Sequence, residues 1–99
     1  MNMQNLMQQA QKMQRDIQKK QAEIDATVFE GNSEWVDITM NGKREVKSIK
    51  ITKEDLSDSE DLEVLEDMIT IALNDVLSKI AAEIESKMGS AASGLSGLM

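Results

Sequence analysis

Residues 36–51 have the sequence VDITMNGKREVKSIKI, in which apolar and polar side chains alternate over the first five positions. This two-residue period is that of a β-strand with one buried face, so its Val, Ile and Met side chains are expected to face a core. The Asn-Gly pair that follows favours the positive φ angles of a tight hairpin turn. Residues 46–51 then form the returning strand. Val46 has the opposite parity from the two isoleucines, so a bulge or partial exposure is expected there.

A further strand is expected before the hairpin. Residues 26–29 have strand character, and Gly-Asn-Ser at 31–33 indicates a turn, so the three strands form an antiparallel meander. A sheet this small has open edges in a monomer, and open edges favour pairing with another chain. The chain also has only one Phe and one Trp, so few large side chains can fill a core. Both observations lead us to expect a homodimer.

Residues 3–25 are predicted to form the first helix, because apolar residues recur every three or four positions and neither Gly nor Pro interrupts them. Written as heptads, these positions form a coiled-coil-like seam that Ala10 and Lys20 weaken. The seam consists of Met3, Leu6, Ala10, Met13, Ile17, Lys20 and Ile24. The other faces are rich in Gln and Lys, so the helix is expected to project into solvent.

A single helical turn is expected over residues 52–56, with Thr52 as its cap. Ser57 and Glu60 match a capping box, in which each side chain bonds to the backbone amide of the other residue. They open a second helix that runs to residue 88. Its first half has a wide apolar face, which indicates burial against both the sheet and a partner. The expected buried stripe consists of Leu62, Leu65, Ile69, Ala72, Leu73, Val76, Ile80, Ile84 and Met88.

These elements predict the α+β class: an N-terminal helix, a three-stranded antiparallel meander, a short helical turn and a long C-terminal helix. Residues 1–88 are expected to form a single domain. Residues 89–99 are rich in Gly and Ser and are expected to form a flexible tail. Gly89 is expected to cap the long helix at its C-terminus.

The composition excludes most catalytic chemistry. The chain has no Cys, His or Tyr, which removes thiolate sites, the commonest general base and the commonest zinc ligand. We therefore expect no enzyme, no catalytic residue, no metal, no cofactor and no small-molecule substrate. No stretch approaches the roughly 18 apolar residues of a membrane span, and the N-terminus lacks the features of a secretory signal. These absences favour a cytoplasmic protein without a membrane partner.

Charge is distributed unevenly along the chain. The net charge is −7, but residues 1–53 carry +2 and residues 54–99 carry −9. Phosphates respond to the local potential within a Debye length of about 8–10 Å. The overall acidity therefore does not exclude contact between the N-terminal half and a nucleic acid.

Several stretches resemble the YbaB/EbfC family of nucleoid-associated DNA-binding proteins. They are the Met/Gln/Lys run at 7–14, the hairpin strands at 36–42 and 46–51, the Leu-Glu-Asp and Asn-Asp segments at 65–69 and 72–76, and the tail at 94–98. The resemblance implies a tweezer-like homodimer that binds double-stranded DNA with low or modest sequence preference in the bacterial nucleoid. It implies no catalytic residues.

Two groups of basic residues are candidates for DNA contact. Lys12, Arg15 and Lys19 lie at i, i+3 and i+7 and share a helix face, with Lys20 beside them. Such a stripe could follow DNA phosphates, or it could be a solvated face that pairs locally with acidic neighbours, Asp16 and Glu23.

The second group is the hairpin pair Lys43 and Arg44, which could contact DNA or could protect an exposed strand from aggregation. The acidic run from Asp58 to Asp67 is interpreted as favourable charge at a helix N-terminus. Asn74 and Asp75 could lie at a dimer interface or on the surface, and the sequence leaves both open.

Two functions remain open from the sequence. The first is an architectural or regulatory DNA-binding protein of the nucleoid. The alternative is a dimeric protein-interaction module whose projecting helices dock a protein partner. In that case the contact surface is the Met-containing N-terminal part of the first helix, formed by Met3, Leu6, Met7 and Met13.

Overall fold

The computed structural model describes the backbone of residues 2–98 and the side chains of residues 2–89. The elements are helix α1 (Met3–Ala26), strands β1 (Val28–Asn32), β2 (Val36–Asn41) and β3 (Val46–Ile51), and helix α2 (Ser59–Leu98). The strands form one antiparallel sheet in the order β1-β2-β3. The predicted α+β class and order of helices and strands are confirmed.

The α2 helix is interrupted at Gly89, where φ is 59° and ψ is −144°. This region of the Ramachandran map is essentially restricted to glycine. The interruption falls where the long helix was predicted to end. The division into a domain over residues 1–88 and a flexible tail over residues 89–99 stays a prediction, because the side chains of residues 90–99 lie outside the described part of the chain.

The core lies between β2 and the middle of α2. Six buried side chains form it, namely Val36, Ile38, Met40, Ala72, Val76 and Ile80. The predicted alternation along β2 is therefore confirmed. Within the described residues, α2 packs on β1 and β2 but does not reach β3. The apolar face of the sheet is thus covered over only two of its three strands.

Gly31 allows α2 to lie directly against β1. A Cβ at Gly31 would overlap the backbone of Ala72 and the Val76 side chain. The turn predicted at 31–33 begins later than expected, because β1 extends through Asn32. The turn follows it and is closed by the Ser33 amide, which donates to the Val36 carbonyl at 2.8 Å.

Two polar side chains of α2 form hydrogen bonds to the backbone of β1. Asp75 Oδ2 accepts a hydrogen bond from the Asn32 amide at 3.0 Å, and Lys79 Nζ donates to the Glu30 carbonyl at 2.7 Å. The Asn32 amide is the main cause of the lowered pKa of the Asp75 carboxyl, and the hydrogen bond from Lys79 lowers it further. The Asp75 carboxyl therefore accepts hydrogen bonds from residues of its own chain.

The β2–β3 turn differs from the predicted tight turn. The Arg44 amide donates to the Asn41 carbonyl at 2.9 Å. Among the described non-glycine residues, Arg44 alone has a positive φ, which is 66°. This is a type I turn followed by a left-handed residue. The expectation of positive φ at the Asn-Gly pair was wrong. Asn41 remains in β2, and its side-chain oxygen accepts from the amides of Lys43 and Glu45.

A bulge follows in β3, as the parity of Val46 predicted. Ser48 faces Thr39 and Val46 faces Met40, so Lys47 is an additional residue in the strand. Val46 is exposed. Both expected features, the bulge and the exposure, are confirmed.

The helical turn predicted over residues 52–56 is absent. Thr52 continues the contact between β3 and β2 instead, because its amide donates to the Trp35 carbonyl at 2.7 Å. The predicted capping box was also wrong, since α2 begins at Ser59 and the Ser57 amide donates to Asp55 Oδ1 at 3.0 Å. The tertiary contact of Thr52 with the start of β2 thus outweighs the local helical preference of residues 52–56.

Replacing Arg44 with glycine should stabilise the fold. The left-handed conformation costs a residue with a Cβ about 1–2 kcal/mol, and glycine adopts it freely. We expect Arg44→Gly to raise the free energy of unfolding by about 1 kcal/mol in urea denaturation. Lys43→Gly is the matched control, because Lys43 has negative φ, and it should give no gain. Equal effects of the two substitutions would contradict the turn described above.

Candidate nucleic-acid interface

Most of α1 is surrounded by solvent. Among its described side chains only Ile24 is buried and only Ile17 and Asp25 are half-buried. The N-terminus is capped by Asn2, whose Oδ1 accepts from the Gln4 amide at 3.0 Å. A helix of 24 residues is about 36 Å long. The helix is therefore held at its C-terminal end, and the rest projects from the body.

The contact at this end explains Gly42. A Cβ at Gly42 would overlap the backbone carbonyl of Ile24, so glycine is required for close approach rather than for a positive φ. The β2–β3 turn thus packs directly on the last turns of α1. This contact determines where the projecting helix lies relative to the hairpin.

Lys12, Arg15 and Lys19 share one face of α1, as predicted. At 100° per residue this face is roughly opposite the side that carries Ile17 and Ile24, and all three basic side chains are exposed. Lys20 is also exposed, but it lies about 100° around the helix from Lys19, nearer the apolar seam. The structure therefore brings three of the four candidate residues of α1 together.

The β2–β3 turn adjoins the C-terminal end of this basic face. Lys43 lines a surface depression together with Ala22, Asp25 and Ala26 of α1 and Asn41 of β2. These two alanines follow Arg15 and Lys19 by seven residues, so they lie on the same helix face. From Lys12 to Ala26 the face is about 21 Å long. We call the surface formed by Lys12, Arg15, Lys19, Lys43 and Arg44 the basic surface.

In the sequence, the helix and hairpin candidates form two separate groups. Ala22 and Ala26 follow Arg15 and Lys19 by one heptad each, so the heptad pattern alone shows that the basic face continues to the end of the helix. It does not show that the hairpin packs there. That contact depends on Gly42 and Ile24, and local periodicity carries no signal for it.

Ion pairs of the described residues all involve α2. They join Lys53 to Asp61 at 3.2 Å, Lys79 to Asp75 at 3.3 Å, and Lys87 to Glu83 at 3.6 Å. Within the described side chains, none of the six candidate basic residues has a carboxylate within 4.0 Å. The described residues therefore show no ion pair of these cations with Asp16 or Glu23, and the choice between a phosphate-binding stripe and a solvated face stays open.

The acidic run at the start of α2 lies at the other end of the sheet. The acidic run at the start of α2 adjoins Lys53 and Trp35, where β2 begins, whereas Gly42 and α1 meet where β2 ends. Lys53 Nζ lies 3.9 Å from the centre of the Trp35 ring and also pairs with Asp61. Lys53 therefore joins α2 to the sheet, and the length of β2 separates the acidic run from the basic surface.

Fold and site define a small α+β protein that presents an exposed basic surface on a projecting helix and an adjoining turn. A family model, the YbaB/EbfC DNA-binding family, matches residues 1–95. The chain belongs to this family, as its sequence features indicated. The family is defined by DNA binding and is not a class of enzymes.

Similar proteins agree with this assignment. A nucleoid-associated protein of Lactococcus lactis is 46% identical over 97 residues, which cover 96% of this chain and 97% of that protein. A nucleoid-associated protein of Chloroflexus aurantiacus is 45% identical over 100 residues and 99% of each chain. The crystal structure of an uncharacterised protein from Helicobacter pylori has the same fold, with a TM-score of 0.66 at 24% identity over 96% of this chain and 98% of that one. None of the described helices is long and apolar enough to cross a membrane.

Proposed function

We propose that the protein is a nucleoid-associated homodimer that binds duplex DNA with low or modest sequence preference, in an architectural or regulatory role in the bacterial cytoplasm. The observation that carries the proposal is the basic surface. Its five cations are exposed and have no carboxylate within 4.0 Å among the described residues, and Lys43 adjoins the helix face that continues from Arg15 and Lys19.

Phosphate contact accounts for this arrangement. Lys and Arg bind phosphate oxygens by charge-assisted hydrogen bonds, and each contact releases counterions from DNA. Because the acidic run lies at the far end of the sheet, it repels DNA and orients the basic surface toward it. The net charge of −7 is thus compatible with DNA binding.

Sequence-specific or single-strand recognition has less support. Stacking on single strands needs exposed aromatic side chains, but Phe29 and Trp35 both pack against the core. Neither helix, over the residues that the structure describes, has the arrangement of a known groove-reading motif. Recognition through the backbone and shape of duplex DNA is therefore favoured.

The uncovered part of the sheet supports dimerisation. Val46, Ile49 and Ile51 lie opposite Met40, Ile38 and Val36, so they share the core face, yet they are 48%, 52% and 43% exposed. On α2, Leu62 is exposed as well. A second copy placed over β3 would bury these side chains and cover an open edge. Each dimer then presents two basic surfaces.

The DNA contact is tested by removing charge from α1. Replacing Lys12, Arg15 and Lys19 together with Gln keeps helix propensity. We expect affinity to fall similarly for all duplex sequences. The log–log salt slope should flatten by several units, at about 0.9 per lost phosphate contact. Fluorescence anisotropy across a salt series measures both.

The matched control is Lys47→Gln with Lys50→Gln, which removes exposed charge from β3 outside the basic surface. Its affinity and slope should stay close to those of the unsubstituted protein. Unchanged affinity and slope in the triple variant would exclude α1 as the contact and would favour the protein-interaction alternative.

Dimerisation is tested by sedimentation equilibrium. At micromolar concentration the protein should have twice the chain mass of 11.0 kDa. Ile49→Lys with Ile51→Lys should shift it to the monomer, because two charges would be buried in the contact. Val28→Lys is the control, since Val28 is exposed on the opposite face of the sheet. A monomer for the unsubstituted protein would contradict the proposal.

A further inference from the structure

The β2–β3 turn contains the one Asn-Gly pair of the sequence, Asn41 and Gly42. Asparagine is thermolabile, because the backbone nitrogen of the next residue can attack its side-chain amide carbon. Glycine has no side chain to hinder that attack. The other four asparagines precede larger residues, which are Met3, Leu6, Ser33 and Asp75. The chemistry of deamidation therefore singles out Asn41.

The Asn41 side chain closes the turn. Its Oδ1 accepts hydrogen bonds from the amides of Lys43 and Glu45 at 2.9 and 3.0 Å, and its Nδ2 donates to Glu45 Oε1 at 2.8 Å. Only 7% of the residue is exposed. The hydrogen bond from Asn41 is the main cause of the lowered pKa of the Glu45 carboxyl, so the Asn41 amide faces a carboxylate. The closed turn thus requires a donor as well as an acceptor on the Asn41 side chain.

We propose that Asn41 is a modification site, at which deamidation to aspartate or isoaspartate opens the β2–β3 turn and weakens the contact of the basic surface with DNA. The chemical step depends on the turn alone, whereas its effect on DNA rests on the function proposed above. The substrate is the chain itself, and the co-reactant is water.

The step needs no other reagent. The Gly42 backbone nitrogen forms a bond to Cγ of Asn41, the bond from Cγ to Nδ2 breaks, and Nδ2 leaves as ammonia with the proton that the Gly42 nitrogen has lost. Water then opens the succinimide ring at one of its two carbonyl carbons. Attack at Cγ gives aspartate, and attack at the former backbone carbonyl gives isoaspartate.

The closed turn slows this step. The Gly42 nitrogen can reach Cγ of Asn41 only after the side chain rotates out of its three hydrogen bonds. Gly42 itself packs on the Ile24 carbonyl, where a single additional carbon atom would overlap. Deamidation therefore passes through a locally opened turn, and its rate depends on how firmly α1 holds the hairpin.

Both products disrupt the closed turn. In aspartate an oxygen replaces Nδ2, so two carboxylate oxygens would lie at the 2.8 Å that now separates Nδ2 from Glu45 Oε1, and like charges this close repel each other. Isoaspartate adds a methylene to the main chain, in the segment where the Asn41 carbonyl accepts from the Arg44 amide. Each product also adds a negative charge near Lys43. The turn should then separate from α1, and the basic surface loses its hairpin part.

The chemical step is tested by peptide mass spectrometry of the protein during incubation in warm, mildly alkaline buffer. Asn41 should be converted before any other asparagine. Isoaspartate is detected by enzymatic methylation of its carboxyl group. Conversion of another asparagine first, or no conversion of Asn41 over an incubation that fully converts it in the urea-unfolded chain, would overturn the proposal.

The dependence on local opening is tested with Ile24→Ala, which loosens the contact of α1 with the turn and should speed conversion of Asn41 severalfold. The control is Leu65→Ala. Leu65 packs against the core one turn after Asp61, at the far end of the sheet, so this variant should have a smaller effect. Equal acceleration by the two variants would show that conversion needs global unfolding and would overturn the local mechanism.

The effect on DNA is tested with Asn41→Asp, which is the aspartate product. Its affinity for a short duplex in fluorescence anisotropy should fall about tenfold, since the hairpin cations lose phosphate contacts. Asn41→Asp with Glu45→Gln exchanges the amide and the carboxylate, so the hydrogen bond forms in the reverse direction and affinity should recover. Unchanged affinity in the single variant, or no recovery in the exchange variant, would overturn the effect on DNA. Failure of the unsubstituted protein to bind the duplex would instead contradict the proposed function.

Discussion

The packing of Gly42 against the Ile24 carbonyl is the contact on which the rest of the site depends. Among the described side chains of α1, only Ile24 is buried. A Cβ at Gly42 would separate the helix from the hairpin. This contact fixes the end of a helix that otherwise stands in water. Because it also brings Lys43 beside Ala22 and Ala26, it joins the basic face of α1 to the β2–β3 turn.

The sheet then acts as a spacer between opposite charges. Lys53 is held by Trp35 and Asp61 at the start of β2, while Lys43 and Arg44 lie beyond its end. The lysines that form ion pairs are those that fix α2 to the sheet or to its own next turn. A net charge of −7 therefore describes this molecule poorly, because a DNA phosphate responds to the charges within a Debye length.

Features that depend on local periodicity could be predicted from the sequence. They include the buried face of β2, the bulge near Val46 and the shared face of Lys12, Arg15 and Lys19. Features that depend on distant contacts could not. The Asn-Gly pair has a strong local preference for positive φ, but the turn has its positive φ at Arg44 and packs on α1 through Gly42. Thr52 favours a helix cap locally, yet its amide bonds to Trp35. The adjacency of Lys43 and α1 is equally invisible to any pattern along the chain.

The central claim is that one surface, built from α1 and the β2–β3 turn, meets DNA. Heteronuclear NMR of the labelled protein during titration with a short duplex measures this most directly, residue by residue. The account predicts that amide shifts concentrate at residues 8–19 and 42–45 and are absent from the acidic run at 60–67. Shifts confined to β3 around Lys47 and Lys50, or to α2, would contradict it.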